Sequence, residues 1–255
     1  MIKSLFSGIT ALQANSQAMG VIGDNIANVS TTGFKGGRMD FANLLNESLG
    51  GYTGQEVGAG VTLGKLSRDW TQGSIENTAN ATDLAINGNG FFVVSDGTNQ
   101  YYTRAGAFHF DKDGYLVDNN DYKVQGTGGD LQLSDTTGTT SITISNVGVI
   151  TSFSSGDTTG TSVGTITLAT FPCTWGLAAM DKNLFTSTSK SGTAATGAPG
   201  STGKGTISSY SLEMSNVDLA SEFGKMITTQ RSFQAAAKVV TASDEVLQQL
   251  LGIKR

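Results

Sequence analysis

The sequence predicts an α+β protein, in which N- and C-terminal helices form a coiled-coil-like helical domain and a central all-β domain is joined to them by an extended connector. Three observations predict it. Apolar residues recur at alternating three- and four-residue steps at both ends of the chain. Between the ends the apolar period falls to two, broken by glycine-bearing turns. The composition, 34 glycines against 2 prolines in 255 residues, suits many short strands joined by tight turns.

The first helix is expected over about residues 2 to 29. Ile2, Leu5, Ile9, Leu12, Met19 and Ile26 mark its seam, with Ser16 and Gly23 at the remaining steps and a polar opposite side. The last helix begins near Leu219, and its seam runs Leu219, Phe223, Met226, Gln230, Phe233, Ala237, Val240, Asp244, Leu247, Leu251. Eight of those ten positions are apolar, which is a sustained heptad signal. Ser215, Asn216 and Asp218 supply capping side chains, Glu222 puts a negative charge in the first turn, and Lys254 and Arg255 put cations at the far end. A lone helix of either kind is marginal in water, so each needs a partner.

Residues 1–29 and 212–255 are therefore assigned to a terminal helical domain, 30–70 to the connector and 71–211 to the β domain. Residues 127–160 are available for a small outer excursion. "SDGTN" between "FFVV" and "YYTR", and "DKDG" between "AFHF" and "YLV", read as hairpin turns. Residues 191–205 are low in complexity and are expected to be a surface loop.

Composition narrows the functional classes. A formal charge of −5 argues against nucleic acid, and the small basic group of Lys35 and Arg38 beside Phe34 does not change that. Cys173 is the only cysteine, so neither an intrachain disulfide nor a cysteine zinc site is available. His109 is the only histidine and stands at an outward strand position, which leaves no credible nucleophile–base set. "INGNGFF" lacks the third glycine and following helix of a dinucleotide site, and "DKDGYLVDNND" lacks the closing Glu of a calcium loop. Catalytic, metal and cofactor residues are expected to be absent. So are a membrane span and a cleaved signal, because no continuous apolar run of either kind is present. Both helices carry apolar residues on more than one face, and surplus of that kind marks contacts between molecules.

Four blocks carry a resemblance. They are "SLFSGITALQANSQAMGVIGDNIANVSTTGFKGGRMDF", "WTQGSIENTANATDLAINGNGFFVV", "YYTRAGAFHFDKDGYLVD" and "GTISSYSLEMSNVDLASEFGKMITTQRSFQAAAKVVTASDEVLQQLL". In this order they resemble the bacterial flagellar rod and hook family over well over half the chain. The resemblance implies a structural, non-enzymatic subunit whose terminal helices stack as an inner tube around an export channel, with the β domain outside.

Within the family, "SDGTNQYYTRAGAF", "YKVQG" and "SDEVLQQLLGIKR" look more like hook subunits, of a short form lacking a large outer domain. The leading expectation is thus the extracellular hook, a flexible coupling that transmits motor torque to the filament. The alternative is a rigid distal rod subunit of the basal body in the periplasm. Outside the family stands a secreted carbohydrate-binding or hydrolytic β domain. Implied partners are other copies of the chain, rod and hook–filament junction proteins, and the hook cap and type III export apparatus during assembly. The residues expected to carry self-assembly are Leu5, Ile9, Leu12, Met19, Ile26, Leu219, Phe223, Met226, Phe233, Val240, Leu247 and Leu251. Ser30, Thr31, Thr32, Gly33 and Phe34 are expected to form the turn by which the chain leaves the tube, with Phe34 as an anchor against adjacent subunits.

Overall fold

A computed structural model describes residues 2–44, 46–48, 56–133, 139–154 and 160–253. Helices at both ends flank a central all-β region, so the protein is α+β. The first helix, α1, spans Ile2–Ala27 and the last, α2, spans Leu219–Ile253. The Asp218 carboxylate accepts the N–H of Ala220 at 3.0 Å and caps α2, and Glu222 lies in its first turn. Lys254 and Arg255 lie outside the described residues.

The chain divides into two compact units. The first comprises Met1–Val29, Gly36–Asp69 and Val217–Arg255. Its helices run antiparallel, with Ser4 beside Ser243 and Asn25 beside Glu222. Strands Gly37–Asn43 and Val61–Arg68 form an antiparallel pair from Gly37↔Arg68 to Asn43↔Val61, with a register shift between Asp40 and Phe41, and pack on α1. The stretch 30–70 is thus divided. Gly36–Asp69 clusters with the helices as paired strands, and Ser30–Lys35 clusters with the β unit.

The second unit comprises Ser30–Lys35 and Trp70–Asn216. Its main sheet has the strand Phe91–Ser95 near its middle, paired with Gln100–Thr103 on one side and Lys123–Gly126 on the other. "FFVV" is buried throughout because both faces of this strand are covered. Phe92 and Val94 join a core with Leu84, Leu116 and Ile166, whereas Phe91 and Val93 face Tyr102, Ala169 and Phe185. The two expected hairpins are formed, with Gly97 and Gly114 at positive φ in their turns. Strands Thr139–Ile144, Val149–Ser154 and Thr161–Thr165 make a separate small sheet, yet Ile144 and Ile150 belong to the same core as Phe92.

One expectation differs. Residues 191–205 are not all surface loop, because Ala195–Gly197 pairs with Leu168–Thr170 as an added strand. Ser191 is fully buried, its hydroxyl donating to the carbonyls of Thr188 and Gly192. Small side chains let this segment lie close to the sheet, a use that composition alone does not distinguish from disorder.

Candidate assembly surfaces

Within one chain the two helices meet through small residues. The buried positions of α1 are Gly8, Ala14, Ala18, Ile22 and Asn25. A Cβ at Gly8 would stand 2.8 Å from Val240 Cγ2, closer than real Cβ contacts allow. This face lies beside the expected seam rather than on it. Leu5, Leu12, Met19 and Ile26 are half-buried and Ile9 is exposed. On α2, Met226, Phe233, Val240 and Leu247 are half-buried, while Leu219, Phe223 and Leu251 remain exposed, Leu251 at 72 %. Gly8 lets Val240 of α2 come close, and the first strand pair packs on α1 as well, so the positions buried are mostly small ones beside the seam. The larger apolar side chains are displaced toward the outside. Ala14, Ala18, Ile22 and Asn25, at four-, four- and three-residue steps, were the sequence signal for this second face.

A polar knot closes the helical unit where α1 ends. Asn25 is buried; its amide nitrogen donates to the Gly37 carbonyl at 2.8 Å and to Glu222 Oε2 at 3.1 Å, and its oxygen accepts from Gly37 N–H at 2.8 Å. Glu222 also receives Lys225 Nζ at 2.6 Å. One side chain therefore ties α1, the first strand and α2 together.

The turn residues that follow are anchored in the β unit. Gly33 adopts φ +67, and a Cβ there would lie 2.4 Å from the Ala105 nitrogen, so the position needs glycine for both conformation and space. Its N–H donates to the Glu213 carbonyl at 2.7 Å. Ser30 is exposed and Thr31 and Thr32 are half-buried, with Asn183 Nδ2 donating to the Thr32 carbonyl at 3.4 Å. Phe34, expected as an anchor against adjacent subunits, is only 5 % exposed in the single chain, which leaves its ring little surface for a neighbour.

Lys35 is a correction to its expected place in a small basic surface group. Its side chain is fully buried, with Nζ 2.5 Å from Glu213 Oε1 and 2.7 Å from the Thr71 carbonyl. Glu213, also fully buried, holds Arg104 Nη1 at 3.1 Å through its other oxygen and accepts the Gly73 N–H at 3.1 Å. Arg104 Nη2 donates to the Gly88 carbonyl at 2.9 Å. Burial lowers the Arg104 pKa, and the Glu213 charge opposes that shift. Alternation in "YSLEMS" pointed the other way, with Tyr210, Leu212 and Met214 as the apolar face, whereas the structure buries Ser211 and Glu213.

His109 and Cys173 are exposed. Among the described residues no cluster of His, Cys, Asp and Glu could hold a metal, and no helix is long and apolar enough to cross a membrane. The exposed apolar rows on the helices stand out instead, because their chemistry is that of a protein contact.

Comparison with known proteins bears on what such a contact builds. Residues 5–35 match the family described as "Flagella basal body rod protein". Residues 85–152 match "Flagellar hook protein FlgE/F/G D1 domain", and residues 208–253 match "Flagellar basal body rod FlgEFG protein C-terminal". The chain is 36 % identical to the flagellar basal-body rod protein FlgG of Bacillus subtilis, over 100 % of both chains. It belongs to the bacterial flagellar rod and hook family. Identity to the FlgG of Caulobacter vibrioides is 35 %, over 97 % of this chain and 96 % of that one. The flagellar hook protein FlgE of Borreliella burgdorferi is 41 % identical, over 49 % of this chain and 31 % of that one. The first family match covers α1 from Leu5 and the turn through Lys35, and the last contains Glu213, Glu222 and all of α2. Both polar knots are thus built largely from family-matched segments.

Proposed function

We propose that this chain is a structural subunit of the distal rod type, a segment of a rigid flagellar drive shaft assembled from many copies through the exposed faces of α1 and α2. One observation carries the choice between rod and hook. The rod relatives align over 96 % or more of both chains, whereas the hook relative aligns over 31 % of its own length. The hook-like wording of "SDGTNQYYTRAGAF" lies inside the shared core, where the two kinds of subunit resemble each other. Assignment to the extracellular hook therefore yields to its alternative, the basal-body rod. The partners that go with it are other copies of this chain, neighbouring rod and hook proteins, and the type III export apparatus during assembly. The residues proposed to carry self-assembly are the outward members of the expected seams, Ile9, Leu219, Phe223 and Leu251, with the half-buried Leu5, Leu12, Met19, Ile26, Met226, Phe233, Val240 and Leu247 supporting them.

Negative-stain electron microscopy of the purified chain, concentrated under polymerising salt, tests this beside a version lacking residues 1–29 and 217–255. Straight tubes from the full chain and none from the shortened one are expected. Curved tubes would return the subunit to the hook. A full chain that stays monomeric at every concentration and salt would remove self-assembly altogether.

A further inference from the structure

Mid-helix glycine costs roughly 0.5–1 kcal/mol relative to alanine, so each one in a helix calls for a reason. Gly8 has one inside the chain, the close approach of Val240. Gly20 has none, since a Cβ there would meet nothing within 4 Å. What lies beside Gly20 is a groove of about 350 Å³ between α1 and the first strand pair, lined by Gln17, Gly20, Val21, Met39 and Leu66, with Asp24 and Arg68 at its polar end. Leu66 is 54 % exposed although it stands in a paired strand. Gly20 lines this groove, so a larger side chain there would take up part of it.

The same unit carries a ridge that it leaves uncovered. Leu219, Phe223 and Ile227 follow one another at four-residue steps on α2 and are 40, 50 and 59 % exposed. The bond from Asn25 to Glu222 places residues 17–24 of α1 alongside the first turns of α2. Groove and ridge therefore sit at the same level of the helical unit, on separate surfaces, and no α2 residue lines the groove. Lys225, its side chain 56 % exposed and paired with Glu222, flanks the ridge; at the groove's polar end stand Asp24, opposite in sign to it, and Arg68, like it in sign.

We propose that the Gly20 groove of one copy receives the Leu219–Phe223–Ile227 ridge of a second copy. The inference rests on the polymeric subunit reading above and supplies its contact. Because hole and ridge are different patches, a copy whose ridge is seated in one neighbour still offers its own groove to another. Unless two copies exchange ridges reciprocally or the rotation closes a ring, the contact is therefore head-to-tail and propagates. Binding of ridge into groove removes apolar surface from water on both partners.

The test uses the full chain with Cys173→Ser, into which Gly20→Cys and Ile227→Cys are placed separately. The two single-cysteine proteins are polymerised alone and mixed, then oxidised with copper phenanthroline and separated without reductant. Disulfide-linked dimers are expected in the mixture and not in either protein alone. A second variant, Gly20→Leu, is expected to raise the concentration needed for polymerisation about tenfold or more while monomer melting is unchanged or raised. Polymer that forms with no cross-linking beyond the single-cysteine controls, or Gly20→Leu polymerising like the parent, would overturn the groove contact and leave the subunit function standing. Absence of polymer from the parent chain would instead defeat the subunit function, and the contact with it.

Discussion

Glu213 holds two buried cations at once, Lys35 from the turn and Arg104 from the sheet, together with the Gly73 N–H. Replacing such a carboxylate leaves charge in the interior without its counter-ion, a far larger loss than removing a surface pair. Glu213→Gln should therefore cost the β unit about 3–5 kcal/mol, read as a fall in the denaturant midpoint. A loss near that of a surface pair would mean that water or backbone groups compensate the cations. Asp96 offers a contrasting, exposed case. The N–H groups of Asn99 and then Thr98 hold its carboxyl below the ordinary range, bonded at 2.7 and 2.8 Å across the hairpin turn. A lowered folded pKa means stability present above the unfolded value of about 3.9 and lost as pH falls through the folded one. The melting difference between the parent and Asp96→Ala should be largest near neutral pH and shrink in acid. A difference independent of pH would assign the effect to hairpin conformation instead of charge.

At the scale of elements, Gly8 and Gly20 make a matched pair in one helix. Gly8→Leu should lower the melting temperature of the helical signal, because Val240 lies where the new side chain must go. Gly20→Ala should raise stability by roughly 0.5–1 kcal/mol, because the methyl enters open space and the helix gains propensity. Equal effects from the two substitutions would show that helix propensity dominates and that the close approach carries no weight. The pair also marks what the sequence could and could not say. Heptad steps located both helices, since apolar periodicity is a local property. They did not identify the buried face, because that depends on which elements the fold packs against the helix, here both α2 and the first strand pair. Alternation located the strands around "FFVV" in the same way. The cluster of Lys35, Arg104 and Glu213 stayed hidden, because 178 residues separate the lysine from the glutamate and only the fold brings them together. In the Gly33 turn, glycine was expected from its conformational freedom, whereas the close approach to Ala105 is a fact of the fold.

For the whole molecule, the question is what force would hold copies together. The chain carries a formal charge of −5, so copies repel weakly at low ionic strength. Among their exposed residues the helices carry large apolar side chains: Phe6, Ile9, Phe223, Ile227, Val246 and Leu250 are all 40 % exposed or more. Association driven by such side chains strengthens when salts excluded from protein surfaces raise the cost of apolar hydration. It responds little to simple screening once the Debye length has dropped to about 8 Å, near physiological ionic strength. Sedimented polymer should therefore rise steeply with ammonium sulfate. It should change only slightly as sodium chloride goes from about 0.15 to about 1 M, over which screening length falls to about 3 Å. Polymer that dissolves across that sodium chloride range would mean that ion pairs hold the copies together, and the charged rims around Asp24 and Lys225 would then matter more than the ridge between them.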